Sequence, residues 1–140
     1  MICYAVIDTN VIVSALLSSH SDAATVQLVG RMFSGEIIPI YSSEIIREYR
    51  EVLSRKKFKF APDMINYILN VVEKFGILVE ASETGIILPD MKDLPFYEVV
   101  MEKREDNAYL VTGNLKHFPR ENFIVTARQM LDILEENYSE

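Results

Sequence analysis

Three acids in this chain, Asp8, Glu48 and Asp93, lie in or beside separate predicted elements, and together they could form an acidic metal site. Asp8 closes the apolar run in "ICYAVIDTN" and is followed by Thr9 and Asn10. Such a run, rich in β-branched and aromatic residues, reads as a strand buried on both faces. Small polar side chains directly after it are poor core material. At the carboxyl end of a parallel strand they would instead line the crevice where open α/β sheets bind ligands. "YLVTGN", ending in Thr112, Gly113 and Asn114, repeats the pattern at the same edge, although an ordinary turn explains "TGN" almost as well. Gly113 permits close backbone approach or a positive φ.

Glu48 falls in a helical pattern in which Ile45, Ile46, Tyr49, Val52 and Leu53 share an arc about 120° wide, and it lies about 40° outside that arc. That is the rim of a buried face; a boundary glutamate paired with a nearby arginine is the plainer alternative. Asp93 projects toward the apolar side formed by Leu94, Phe96, Tyr97, Val100 and Met101, but it also suits an N-cap ahead of Pro95. Asp90, after Pro89, reads first as a turn residue.

Acids gathered at one edge repel one another and are costly to bury as bare charges. A hard divalent cation resolves that conflict. Mg²⁺ prefers oxygen ligands and is typically held by one or two carboxylates beside substrate phosphates. It can lower the pKa of a bound water and stabilise both oxygens of an in-line phosphoryl displacement.

Composition agrees with a globular domain, since nearly half the 140 residues are apolar and a quarter charged. A chain of this length reads as one domain that folds without a disulfide, and Cys3, the lone cysteine, reads as a core residue. No apolar run reaches the roughly 18 residues of a membrane span. No basic leader precedes the first apolar run, so a soluble cytoplasmic protein is expected. The net charge of −7 argues mildly against a general nucleic-acid coat. One basic patch stands out: Arg47, Arg50, Arg55, Lys56, Lys57 and Lys59, against only Glu48 and Glu51.

The positioning elements follow from periodicity and punctuation. Strands are predicted at 2–7, 37–41, 77–80, 108–112 and 123–125. Helices are predicted at 11–17, 23–33, 43–55, 63–75, 94–104 and 126–136, with Asp22 and Ser42 or Ser43 as caps and Gly35 and Gly76 as stops. Residues 86–88 are too short to assign. Strands alternating with helices imply βαβ units, hence an α/β fold in three α/β/α layers around a central parallel sheet of four to five strands.

"VIDTNVIVSALL", "SSEIIREYREVLSRKKF", "DMKDLPFYEVV" and "YLVTGNLKHFP", in this order and spacing, resemble the PIN-domain family of metal-dependent ribonucleases. Within it the chain is most similar to toxin components of bacterial and archaeal toxin–antitoxin systems. The resemblance spans essentially the whole chain. It implies an acidic pocket holding Mg²⁺ or Mn²⁺, and endonucleolytic cleavage of RNA. It places the family's acids on Asp8, Glu48 and Asp93, supported by Thr9, Asn10 and Thr112. The fourth acid falls on Asn114, a departure that supplies no negative charge and weakens the case for a second metal; Asp90 is a speculative substitute. The same resemblance offers Arg47, Arg50, Lys56, Lys57, Lys116 and His117 as RNA contacts, with Phe58 and Phe60 as stacking partners for unpaired bases. The plainer alternatives are a solvated helix end, core phenylalanines and an exposed loop histidine. A cognate antitoxin and a homodimer are the implied partners.

Two other classes compete. A PIN-like module weakened by Asn114 would act by binding RNA or protein. A receiver or aspartyl phosphatase fits poorly, because Asn10 stands where a second acid is wanted and no acid follows the strand at 37–41. Dinucleotide binding fits worse, with no Gly-x-Gly-x-x-Gly after the first strand.

Overall fold

A computed structural model describes residues 2–139. Five strands, β1 (Cys3–Ile7), β2 (Ile37–Tyr41), β3 (Ile77–Leu78), β4 (Tyr109–Val111) and β5 (Ile124–Val125), form one parallel sheet in the order β3-β2-β1-β4-β5. Ala5 is in register with Pro39 on one side and Tyr109 on the other. The chain builds outward from β1 to β3, then returns to the opposite side of β1 to lay down β4. That reversal leaves a crevice beyond the carboxyl ends of β1 and β4, and Asp8 and Thr112 are the first residues past those ends.

The helices are α1 (Thr9–Leu17), α2 (Ala24–Phe33), α3 (Ser43–Leu53), α4 (Pro62–Phe75), α5 (Leu94–Glu102) and α6 (Ala127–Ser139). They flank the sheet, so the α/β expectation holds, with five strands. Helix α5 lies against β1, β2 and β4. Helix α2 packs on α1, α6 and β2, and its Phe33 meets Tyr67 of α4 with ring centroids 5.7 Å apart. Among the described residues no helix is long and apolar enough to cross a membrane.

Local differences from the periodicity reading have identifiable causes. Helix α1 starts at Thr9 rather than residue 11, which makes Asp8 its N-cap. Asp22 does not cap α2: Ala23 holds that position without a side-chain bond, while the Asp22 carbonyl accepts from Gln27 Nε2 at 3.4 Å. Ser42 does cap, its Oγ accepting from the Ile45 amide at 3.2 Å. Strand β3 stops at Leu78, although the Val79 amide still reaches the Tyr41 carbonyl at 2.8 Å.

Proline inside a central strand needs an explanation, since it cannot donate to a ladder. The Cys3 amide bonds the Glu36 carbonyl at 2.9 Å. By alternation, Ile38 and Ile40 also face β1, and Pro39 faces the β3 side. There β3 pairs only from Ile40 onward, so no ladder bond is lost. The same spot constrains Gly76, whose φ is −88°. A Cβ there would stand 2.3 Å from the Val72 carbonyl oxygen and 2.6 Å from that of Pro39. Gly76→Ala is therefore expected to cost roughly 2–4 kcal/mol of stability through a forced backbone shift, read as a lower urea midpoint at unchanged slope.

Candidate active site

Polar side chains are buried at four positions among the described residues, and three of them, Asp8, Thr9 and Thr112, stand together at the sheet's carboxyl edge. Asp8 is 4% exposed. Its amide bonds the Val111 carbonyl at 2.9 Å, extending the β1–β4 ladder by one residue and fixing where the side chain emerges. Asp8 Oδ2 accepts from Thr112 Oγ1 at 2.8 Å and from Asn10 Nδ2 at 3.3 Å. Thr112 Oγ1 in turn accepts from the Asn114 amide at 3.0 Å, and Asn10 Oδ1 accepts from the Gly113 amide at 3.1 Å. The "DTN" and "TGN" segments thus lock each other. A Cβ on Gly113 would lie 3.3 Å from Asn10 Oδ1, so glycine suits the approach.

Glu48 is half-buried on α3, and its Oε2 accepts from Thr9 Oγ1. The adjacent Tyr49 is fully buried and donates its hydroxyl to the Ile7 carbonyl, the last of β1. That bond ties the helix carrying Glu48 to the strand carrying Asp8. Periodicity treated Tyr49 only as part of an apolar arc; the signal available was that a buried phenol needs a partner.

Asp93 is the N-cap residue of α5 but makes no side-chain capping bond. Its Oδ2 instead meets His117 Nδ1 at 3.0 Å. The capping role is thus not taken up, and the side chain pairs with the His117 ring instead. Asp90 is a turn residue that caps the short turn Met91–Asp93 through the Lys92 amide, at 3.0 Å, and it also lines the cleft. Asn114 is exposed and engages the site through its backbone, not among the cleft-lining side chains. Lys116 borders a different pocket, with Arg120 and Ile124. Arg50 points to Asn66 Oδ1 at 3.3 Å, on another side of α3, while Arg47, Lys56 and Lys57 are exposed.

The acids share a cleft of about 610 Å³ lined by Asp8, Thr9, Asn10, Glu48, Asp90, Lys92 and Asp93, with Val13, Leu17, Val52 and Phe58 as apolar wall. Burial raises the Asp8 carboxyl to about 6, against the pull of the Thr112 bond and with added repulsion from Asp93 and Glu48. Burial likewise raises Glu48, partly offset by Thr9 and reinforced by Asp93. Asp93 is raised by burial, moderated by His117. Asp8 is thus repelled by Asp93 and Glu48, Glu48 by Asp93, and Asp93 by Asp90.

Among the described residues, no group of three His, Cys, Asp or Glu side chains is already gathered so that it could hold a metal ion. The donors nevertheless suit a hard divalent cation. They are oxygens only, Asp8 and Glu48 accept hydrogen bonds from neutral donors, and Mg²⁺ asks for only one or two carboxylates with several waters.

The Asp8 shift has a defined sign. An acid raised from 3.8 to about 6 in the folded state stabilises the fold below about pH 4, and that contribution is lost as pH rises through about 6. Above that range the gap corresponds to roughly 3 kcal/mol of destabilisation without a cation. In chelator, Asp8→Asn should therefore stabilise the protein at pH 8 by up to that amount and leave it nearly unchanged at pH 4. Urea titrations at both pH values read the difference; equal effects at pH 4 and 8 would contradict it.

Residues 4–116 match the family model described as PIN domain. No curated protein and no solved structure matches the chain. PIN domains are generally nucleases and generally use divalent metal ions, typically Mg²⁺. With most of its length matched, and with the acidic crevice at the reversal of its parallel sheet, this chain belongs to the PIN-domain family.

Proposed function

We propose that the chain is a Mg²⁺- or Mn²⁺-dependent endoribonuclease. The observation that carries this reading is the meeting of Asp8, Glu48 and Asp93, from three separate segments, in one cleft at the sheet's reversal point. Of these carboxylates, one or two would hold the cation directly and the remainder would reach it through its waters. When bound, it would supply a Lewis acid for in-line displacement at a phosphodiester.

The rest of the site positions those carboxylates. Thr112 donates to Asp8 while its own oxygen is held by the Asn114 amide. Thr9 orients Glu48, and His117 keeps Asp93 off its own helix end. Asn114 enters the reading as a backbone donor. Arg47, Lys56 and Lys57 would give salt-dependent phosphate contacts. The role of toxin in a toxin–antitoxin pair, with a cognate antitoxin, a homodimer and a cytoplasmic location, is supported by the likeness of the four segments to that subgroup.

Purified protein should cleave single-stranded RNA only with Mg²⁺ or Mn²⁺. Asp8→Asn or Asp93→Asn should lose more than the roughly 10- to 100-fold that removal of an outer-shell partner costs. Thr112→Val should fall within that roughly 10- to 100-fold range. Mutants as active as the wild type would refute the assignment.

A second reading, a catalytically weakened module acting by RNA or protein binding, is favoured by the exposed Asn114 at the fourth acid's place. Calorimetry separates the two. The nuclease takes up Mn²⁺ at useful concentrations, with an affinity that rises as pH passes about 6, where Asp8 ionises; the weakened module shows no such uptake at those concentrations.

A further inference from the structure

The acidic cleft has an apolar wall that cation chemistry does not use, and one member of it is unusual. Phe58 lies in the segment joining α3 to α4 and lines the same cleft as Asp8, Glu48 and Asp93. Its ring is nearly parallel to that of Phe60, with centroids 5.4 Å apart and planes 10° apart. Phe60 packs against the hydrophobic core, whereas Phe58 is not among the side chains that do so. Between them Lys59 adopts φ +57°, a left-handed conformation that disfavours side chains bearing a Cβ. Outliers of this kind persist where surrounding structure over-determines them, often at ligand sites. Lys57 Nζ stands 5.1 Å from the Phe58 ring centroid, and Lys56, Lys57 and Lys59 are exposed.

A flat apolar ring braced by a second ring, beside exposed positive charge and inside an acidic cleft, matches one nucleotide's parts. The base offers a π-face, and its phosphate offers negative charge. Bases inside a duplex already have both faces covered by neighbours, so only an unpaired base can use such a surface. We propose that Phe58 is a stacking platform for an unpaired base of single-stranded RNA held at the carboxylate cleft, making it a specificity-determining residue. The proposal rests on the ribonuclease reading above and adds to it the residue that seats a base.

The chain contains no tryptophan, so Phe58→Trp installs a single reporter at the platform. Titration with a hydrolysis-resistant phosphorothioate RNA strand in Mg²⁺ should quench its fluorescence saturably, and the same strand annealed into a duplex should not. Phe58→Leu, which keeps apolar packing without the aromatic plate, should weaken single-strand binding by roughly 5- to 100-fold in fluorescence anisotropy, with an unchanged unfolding midpoint. Equal quenching by duplex, equal affinity of Phe58→Leu and wild type, or no binding by the wild type overturns the platform. The two readings fail separately. Metal-dependent cleavage that ignores Phe58→Leu sinks the platform alone, and stacking without cleavage sinks the nuclease while the platform stands.

Discussion

A carboxylate at 4% exposure resists ionisation, and the ends of β1 and β4 are arranged around that resistance. Asp8 cannot move out toward water, because its amide belongs to the β1–β4 ladder. Among the described residues no buried cation matches it. What it receives is a pair of neutral donors, each held by the backbone of the neighbouring strand's end. Neutral hydrogen bonds lower the cost of the charge without cancelling it. The residual negative potential is what a cation site needs, and a salt bridge in the same place would have removed it.

The same economy governs the helices that meet there. Asp8 and Asp93 occupy N-cap positions of α1 and α5, and neither side chain caps. An N-cap bond is typically worth about 1 kcal/mol, so both helices begin less stably than their residue types allow. Their partially positive amino ends still favour nearby negative charge. Fold stability is given up at both helix starts, and the carboxylates stay available to the cleft. Tyr49 and Thr9 carry the opposite duty, pinning α3 to β1 and Glu48 to α1.

Much of this was legible in the chain because it is local. Apolar runs ending in "DTN" and "TGN" mark two strand ends, and Ser42, Gly35 and Gly76 punctuate helices as their chemistry dictates. What could not be read is non-local. No spacing rule pairs Thr9 with Glu48, Tyr49 with Ile7 or His117 with Asp93, since each depends on how helices dock on the sheet. Local rules also misled at Asp22, a favoured capping residue whose carbonyl, not its carboxylate, found a partner. The basic segment divides for the same reason: Arg50 and Glu48 are two residues apart, yet face different pockets.

The bond between Thr112 and Asp8 joins residues 104 positions apart. During synthesis the hydroxyl that orients this aspartate arrives only after the long intervening segment has been made. Parallel pairing of β1 with β4 must wait equally long, because closing so large a loop precedes any contact that rewards it. A nascent chain therefore carries its acids without a finished site. Assembly of the cleft is coupled to the arrival of β4, a consequence of the strand order.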